Sequence, residues 1–243
     1  MKMTNIYEGS YQWIMFGRDE NKTDKVIDTN QYMVKTSNRC LLIDPGGVEL
    51  FAPMLAAVLH YAPVDQITDL FASHQDPDII SSLGLWDQAL PNAKLHASEL
   101  WEGFIRHFGC ETIEYVPIKD NGCVIDLEEA QLQIIPAHYM HSSANFNVYD
   151  PQAKILMSGD IGAALEKAGA PMFVDDFDEH VEKMRFFHQR WMPSNQAKRI
   201  WIDRVRELDI DILAPQHGRM FKGDDVNRFL DWFESLQVGI ATQ

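Results

Sequence analysis

One imidazole and two carboxylates fall within five residues in the run Ser73-His74-Gln75-Asp76-Pro77-Asp78. The run comes directly after Ile67 to Ala72, which reads as a strand. Alternate side chains of an extended segment share a side. His74, Asp76 and Asp78 can therefore face one point just past the strand end. Pro77 holds Asp76 out of the helical region and opens the next helix. Three donors converging at the tip of a buried strand suggest a metal site.

Further donors recur where strands hand over to loops. His141 comes after Ile134-Ile135-Pro136, Asp160 closes Met157-Ser158-Gly159-Asp160, and His217 sits in Ala214-Pro215-Gln216-His217-Gly218. Glycines beside Asp160 and His217 permit sharp turns and close backbone approach. The set is three imidazoles and three carboxylates, too many for one structural zinc, which four ligands satisfy. It suits two metals sharing a carboxylate. With no thiolate and half the donors hard carboxylates, Fe and Mn fit, whereas an imidazole-rich set would favour Zn.

The elements that must position these donors alternate between strand and helix. Gln31 to Lys35 and Arg39 to Ile43 flank a Ser37-Asn38 turn and read as a hairpin, stopped by Asp44-Pro45-Gly46-Gly47. Glu49 to Tyr61 and Pro77 to Leu90 read as helices, Lys94 to His96 as a short strand, and Ser98 caps a helix to about His107. Thr112 to Ile118, Gln131 to Pro136, Asn145 to Tyr149 and Lys154 to Met157 read as strands, the last two joined by a Tyr149-Asp150-Pro151-Gln152 turn. Helices are expected over Asp178 to Arg190, Ser194 to Leu208 and Gly223 to Gln237, with a last strand at Asp211 to Ala214. Two sheets covered by helices, an α/β (α+β) arrangement, suit this order better than one doubly wound sheet.

Bulk properties exclude several classes. The 243 residues are 46% hydrophobic, enough for a sizeable core. A net charge of −15 argues against nucleic acid and against an anionic membrane surface. No apolar run reaches the length of a membrane span, and Met1 to Ser10 lacks a signal-peptide core. Cys40, Cys110 and Cys123 are widely spaced and form no C-x-x-C, so neither a zinc ribbon, a rubredoxin-type iron site nor a disulfide framework is expected. A reducing cytoplasm is the simplest home.

The donors run H-x-D-x-D, 62 intervening residues, H, 18 more, D, then 56 more and H. This spacing resembles the metallo-β-lactamase superfamily, and more narrowly the di-iron domain of flavodiiron proteins. It is most similar to the oxygen-binding di-iron proteins associated with bacterial chemotaxis. These share stretches like His74-Gln75-Asp76-Pro77-Asp78, His141-Ser142 with Asn145-Phe146 just after, and Ser158-Gly159-Asp160-Ile161-Gly162. The resemblance covers nearly the whole chain. It implies a four-layer αββα sandwich over residues 1–243 as a single domain, with no flavodoxin or rubredoxin domain. It further implies two Fe ions, with Zn or Mn as alternative occupants: His74, Asp76 and His141 on the first, Asp78 and His217 on the second, Asp160 between them.

Two departures bear on function. Asp76 stands where flavodiiron enzymes have Glu and reaches one methylene less far. Ile79 stands where many superfamily members have a His, which removes a donor from the second metal and leaves positions open for O2. Flavodiiron reductases draw electrons from an attached flavodoxin-like domain. Without one, binding O2, as a diferric peroxo species, is better supported than sustained turnover. The expected role is an oxygen sensor acting on a chemotaxis histidine kinase or receptor, as a cytoplasmic homodimer. The alternatives are an O2 or NO reductase fed by a separate flavoprotein, and a zinc-dependent hydrolase, against which Asp76 and Ile79 speak.

Other residues carry plainer expectations. His138 lies near His141, but the spacing to Asp160 favours His141 and leaves His138 a supporting or structural neighbour. Tyr139 could touch bound oxygen or simply pack. Asp44 is expected to make a turn and fix neighbouring loops. His60, His96, His107, His180 and His188 are read as ordinary. Asp175-Asp176 and Asp178-Glu179 read as a solvated run. Met184, Phe186, Phe187 and Trp191 read as core or dimer contacts.

Overall fold

Alternation along the strands dictates the layering. In β4 (Cys40–Ile43), Leu41 and Ile43 face one core, while Cys40 and Leu42 face another. In β11 (Ile155–Gly159), Ile155 and Met157 join the same core as Leu41, while Leu156 joins a third. The inner strands of both sheets therefore bury both faces, which explains why they read as almost continuous apolar runs, while the edge segments Lys2–Glu8 and Cys123–Asp126 are largely exposed. The computed structural model describes residues 1–17, 27–166 and 170–242.

The first sheet holds seven strands in chain order: β1 (Lys2–Glu8), β2 (Gln12–Gly17), β3 (Gln31–Lys35), β4, β5 (Ile67–Phe71), β6 (Lys94–Ser98) and β7 (Glu114–Ile118). It is antiparallel from β1 to β4 and parallel from β4 to β7. The second sheet runs β13 (Phe221–Lys222), β12 (Ile212–Pro215), β11, β10 (Phe146–Asp150), β9 (Gln131–Pro136) and β8 (Cys123–Asp126). Within it only β11 and β12 pair in parallel.

Trp13, Tyr32, Phe71, Phe146 and Met157 fill the space between the sheets. Outside the first sheet, α1 (Phe51–Tyr61), α2 (Pro77–Ile80) and α3 (Leu83–Ala89) pack through Met54, Val58, Ile80, Leu83 and Trp86, and α4 (Glu102–Ile105) adds Ile105. Outside the second, α5 (Phe177–Trp191), α6 (Asn195–Val205) and α7 (Asp224–Ser235) pack through Met184, Trp201, Phe229 and Phe233. The result is the αββα sandwich.

The expected helix from Pro77 to Leu90 is broken. α2 ends at Ile80 because the next two hydroxyls serve the Gly46 turn: Ser82 Oγ donates to the Gly46 carbonyl at 2.6 Å, and Ser81 Oγ accepts from Val48 N–H at 3.0 Å. The helix expected from Ser98 to His107 is only the single turn of α4 between two 3-10 turns. β8 is a strand that the sequence pattern did not single out.

Asp150 ties the two sheets together at one end. Its carboxylate accepts Tyr11 Oη–H at 2.7 and 2.8 Å and Trp13 Nε1–H at 2.7 Å from the first sheet. It also accepts Gln152 N–H and Ala153 N–H in its own turn. Asp150→Ala strands a buried hydroxyl and a buried indole N–H, each an uncompensated polar group. The expected outcome is a loss of at least ~2 kcal/mol in urea unfolding at unchanged m-value. An unchanged midpoint would show that the two donors find other partners.

Candidate metal centre

The donors converge because the ends of β5, β9, β11 and β12 meet at one edge of the sandwich. His74 lies three residues past β5. Its Nδ1–H donates to Ser73 Oγ at 3.0 Å, and Ser73 in turn donates from Oγ and from its backbone N–H to the two oxygens of Asp44, each at 2.7 Å. This chain turns Nε2 inward, where that buried atom has no hydrogen-bond partner among the described residues. Asp76 occupies the position just before α2, yet its carboxylate makes no capping bond. It points instead to His74 Nε2 at 3.6 Å and His141 Nε2 at 3.5 Å.

His141 comes from the loop between β9 and β10. The loop is pinned to the His74 segment by Ser142 Oγ–H on Gln75 Oε1 at 2.6 Å and by Phe146 N–H on the Ser73 carbonyl at 3.1 Å. Inside the loop, Asn145 Nδ2 donates to the Met140 carbonyl. Asp160 comes after β11 in a turn opened by Gly159 at φ 58°. His217 comes after β12, with its Nδ1–H donated to the Asp28 carbonyl at 2.8 Å. Gly218, at φ 83°, lets this turn lie against the Asp160 turn: a Cβ there would stand 2.6 Å from the Ala164 carbonyl oxygen.

Asp160 is the hub. Its Oδ2 lies 2.6 Å from His141 Nε2 and 3.7 Å from His74 Nε2. Its Oδ1 lies 3.3 Å from His217 Nε2, which itself stands 3.4 Å from Asp78 Oδ2. One carboxylate therefore faces two donor sets, His74, Asp76 and His141 on one side and Asp78 and His217 on the other. The donor atoms of His74, Asp76, His141 and Asp160 lie within 4.8 Å of one another, close enough for one cation to touch all four. Inward-turned nitrogens and carboxylate oxygens, with the second nitrogen of His74 and of His217 occupied elsewhere, fit metal ligation.

Charge explains the crowding. Burial alone would push the His74 and His217 pKa values down. Asp76, Asp160 and Asp44 around His74, and Asp160 and Asp78 around His217, override burial and lift both to about 9. Burial would raise Asp160, but His217, His141 and His74 hold it well below the usual carboxylate range. Burial pushes Asp44 up to about 6 against His74 and Ser73. Without cations, the carboxylates draw protons onto His74 and His217 in their place.

The supporting residues divide. His138 Nε2–H donates to the Asp120 carbonyl at 2.8 Å and its ring lies against Phe146, so it is tied away from the donor cluster. Tyr139 is 54% exposed, and its backbone N–H donates to the Ser142 carbonyl at 2.6 Å. Ile79 is wholly buried in the core outside the first sheet and adds no donor beside Asp78.

Of the aromatic run, Met184 is core and Phe186 is exposed, while Phe187 and Trp191 stack at 5.8 Å and stand edge-on to His141 at 6.2 and 5.7 Å. His96 pairs with buried Asp69 at 2.8 Å. Burial pushes His180 down to about 4, and neither of its nitrogens is bonded among the described residues. Asp175 is bonded to Arg219, so it is not merely solvated. Ser73, Asp28 and Asn145 support the donors but were not singled out in the sequence. Ser73 and Asn145 sit beside or in the loops that carry the donors, whereas Asp28 lies 189 residues before His217 and carries no such signal.

The family model described as ODP family beta lactamase matches residues 27–218. Among solved structures, the peroxy diiron species of chemotaxis sensor ODP superposes with a TM-score of 0.87 at 37% identity, covering 98% of this chain and 97% of that one. The apo state of chemotaxis sensor ODP from T. denticola gives 0.88 at 37% identity, with 98% and 96% covered. Rubredoxin oxygen:oxidoreductase from the anaerobe Desulfovibrio gigas gives 0.84 at 19% identity. There 96% of this chain matches 61% of that one, a likeness of fold. No curated protein sequence matches the chain. On the family match and the 37% identity over nearly full length, the chain belongs to the ODP family.

Proposed function

We propose that this chain is a non-haem di-iron protein that binds O2 and acts as an oxygen sensor. The observation that carries the reading is Asp160, one buried carboxylate turned toward two sets of donors. The near-full-length likeness to chemotaxis sensor ODP supports it. His74, Asp76 and His141 would hold one ion, Asp78 and His217 the other, and Asp160 would join them. Two ferrous ions held there would supply electrons and ligand positions for O2.

The chain's own residues set the conditions. Ser73 and Asp44 hold His74 with Nε2 inward, and the Asp28 carbonyl does the same for His217. Phe187 and Trp191 cover one side of His141 with apolar surface. Asp78 and His217 bring fewer donors than the other side, and Ile79 adds none.

The wider reading is a single metal-binding domain in the cytoplasm that pairs as a homodimer and signals to a chemotaxis kinase or receptor. No helix among the described residues is long and apolar enough to cross a membrane.

Loading with Fe(II) without oxygen and then admitting air tests the reading. A long-lived visible absorption with no continued O2 consumption is expected. Steady consumption with an added reduced flavoprotein would favour a reductase instead. Tight zinc with ester hydrolysis and no iron colour would contradict both.

Metal uptake must also displace protons from His74 and His217, whose pKa values stand near 9. Affinity is expected to rise with pH through the neutral range up to about 9 and then level off. Calorimetry in buffers of different ionisation enthalpy should register proton release at neutral pH. Affinity flat across that window would place the metal elsewhere. The same two imidazoles stabilise the metal-free fold fully below their unfolded pKa of about 6.5, and that contribution is lost as pH rises through about 9.

A further inference from the structure

Helix α5 reaches the candidate metal centre without supplying a donor to it. Phe187 and Trp191 stand against His141. Between them in sequence, His188 points into the core and touches the Asp160 turn. Its Nδ1–H donates to the Met184 carbonyl at 2.9 Å, one turn back on the same helix. Nε2 is thereby left as an acceptor, and the backbone N–H of Gly162 donates to it at 2.9 Å. A neutral imidazole has one donor and one acceptor nitrogen, and both are used.

The surroundings keep the ring in that form. His188 is wholly buried, 5.2 Å from the Phe233 ring, 5.4 Å from Trp232 and 6.1 Å from Phe229. Burial pushes its pKa down to about 4. Gly162 lies two residues past Asp160 at φ 95°, and a Cβ there would stand 3.1 Å from Phe221 and 3.2 Å from Leu213. Within the turn, Ile161 N–H donates to the Ser158 carbonyl and Ala163 N–H to the Asp160 carbonyl, and on its other side Gln216 N–H donates to the Gly159 carbonyl at 2.8 Å, tying the turn to the His217 loop. The Gly162 bond is what joins this turn to a helix.

We propose that His188 is a positioning residue for Asp160: by accepting the Gly162 N–H it fixes the Ser158–Ala163 turn and so aims the Asp160 carboxylate between His141 and His217. The proposal rests on Asp160 being a metal ligand. Removing a partner bonded directly to a ligand side chain typically costs about 10–100-fold in metal affinity, and a bond acting through the backbone two residues from the ligand is expected at the low end of that range.

Competitive chelator titration with Fe(II) under anaerobic conditions, on the wild type and on His188→Gln, His188→Asn and His188→Phe, tests it. Gln carries an oxygen to the reach of Nε2, whereas Asn reaches only as far as Nδ1 and Phe carries no acceptor. The expected result is affinity within about threefold of wild type for Gln, with the weaker-held ion bound roughly 10-fold less tightly in Asn and Phe. In the metal-free protein, the Gly162 amide proton should move upfield and exchange faster in Asn and Phe, and not in Gln.

Equal affinities in all four chains would overturn the proposal by showing that the Gly162 bond does not act on the metal, and a loss in Gln as large as in Asn would overturn it by showing that only packing matters. If the Phe chain does not fold, the Gln and Asn pair decides. A wild-type chain that takes up fewer than two ions fails the metal reading itself. That outcome appears before any variant is compared, and it overturns this inference too.

Discussion

Three carboxylates and three imidazoles crowd at one edge of two packed sheets, and the carboxylate charge gathered there, on buried Asp160 and half-buried Asp76 and Asp78, must be neutralised. Asp160 feels this most, being buried and placed between both donor sets. In the metal-free chain the balance comes from protons on His74 and His217. In the di-iron protein it would come from two cations. Much of the surrounding structure keeps the six groups from relaxing apart: the Asp44–Ser73–His74 chain, the Gln75–Ser142 link and the Gly218 contact with Ala164.

The sandwich makes that edge available. β11 and β12 run in parallel, so their ends, carrying Asp160 and His217, emerge side by side. β5 delivers His74 from the opposite sheet, and the short α2 turns Asp76 and Asp78 back over it. Bringing the donors from both sheets means that the centre forms only when the sheets are packed. Binding of cations is then coupled to the stability of the whole sandwich.

The six candidate donors could be picked out in the sequence because each lies at or past the end of an apolar strand, a pattern local enough to read, and the fold brings them to one edge. The core strands and the last helix were legible for the same reason of periodicity. Partners that lie far away in the chain were not. Nothing beside Asp44 signals Ser73, 29 residues on, and nothing beside His217 signals the Asp28 carbonyl, 189 residues back. The break at Ser81-Ser82 arises from hydroxyl bonds to the Gly46 turn, which override a helical pattern that looks continuous. His188 read as an ordinary helical histidine because its acceptor role depends on a turn 26 residues away. Phe187 and Trp191 read as core or contact residues, and their place beside His141 depends on how α5 packs.

If one carboxylate joins two ions, anomalous diffraction at the iron edge, on crystals grown anaerobically with Fe(II), shows it most directly. Two peaks roughly 3.5–4 Å apart are predicted, one beside His74, Asp76 and His141, the other beside Asp78 and His217, with Asp160 reaching both. A single peak ringed by four of these donors, leaving Asp78 and His217 unused, would contradict it.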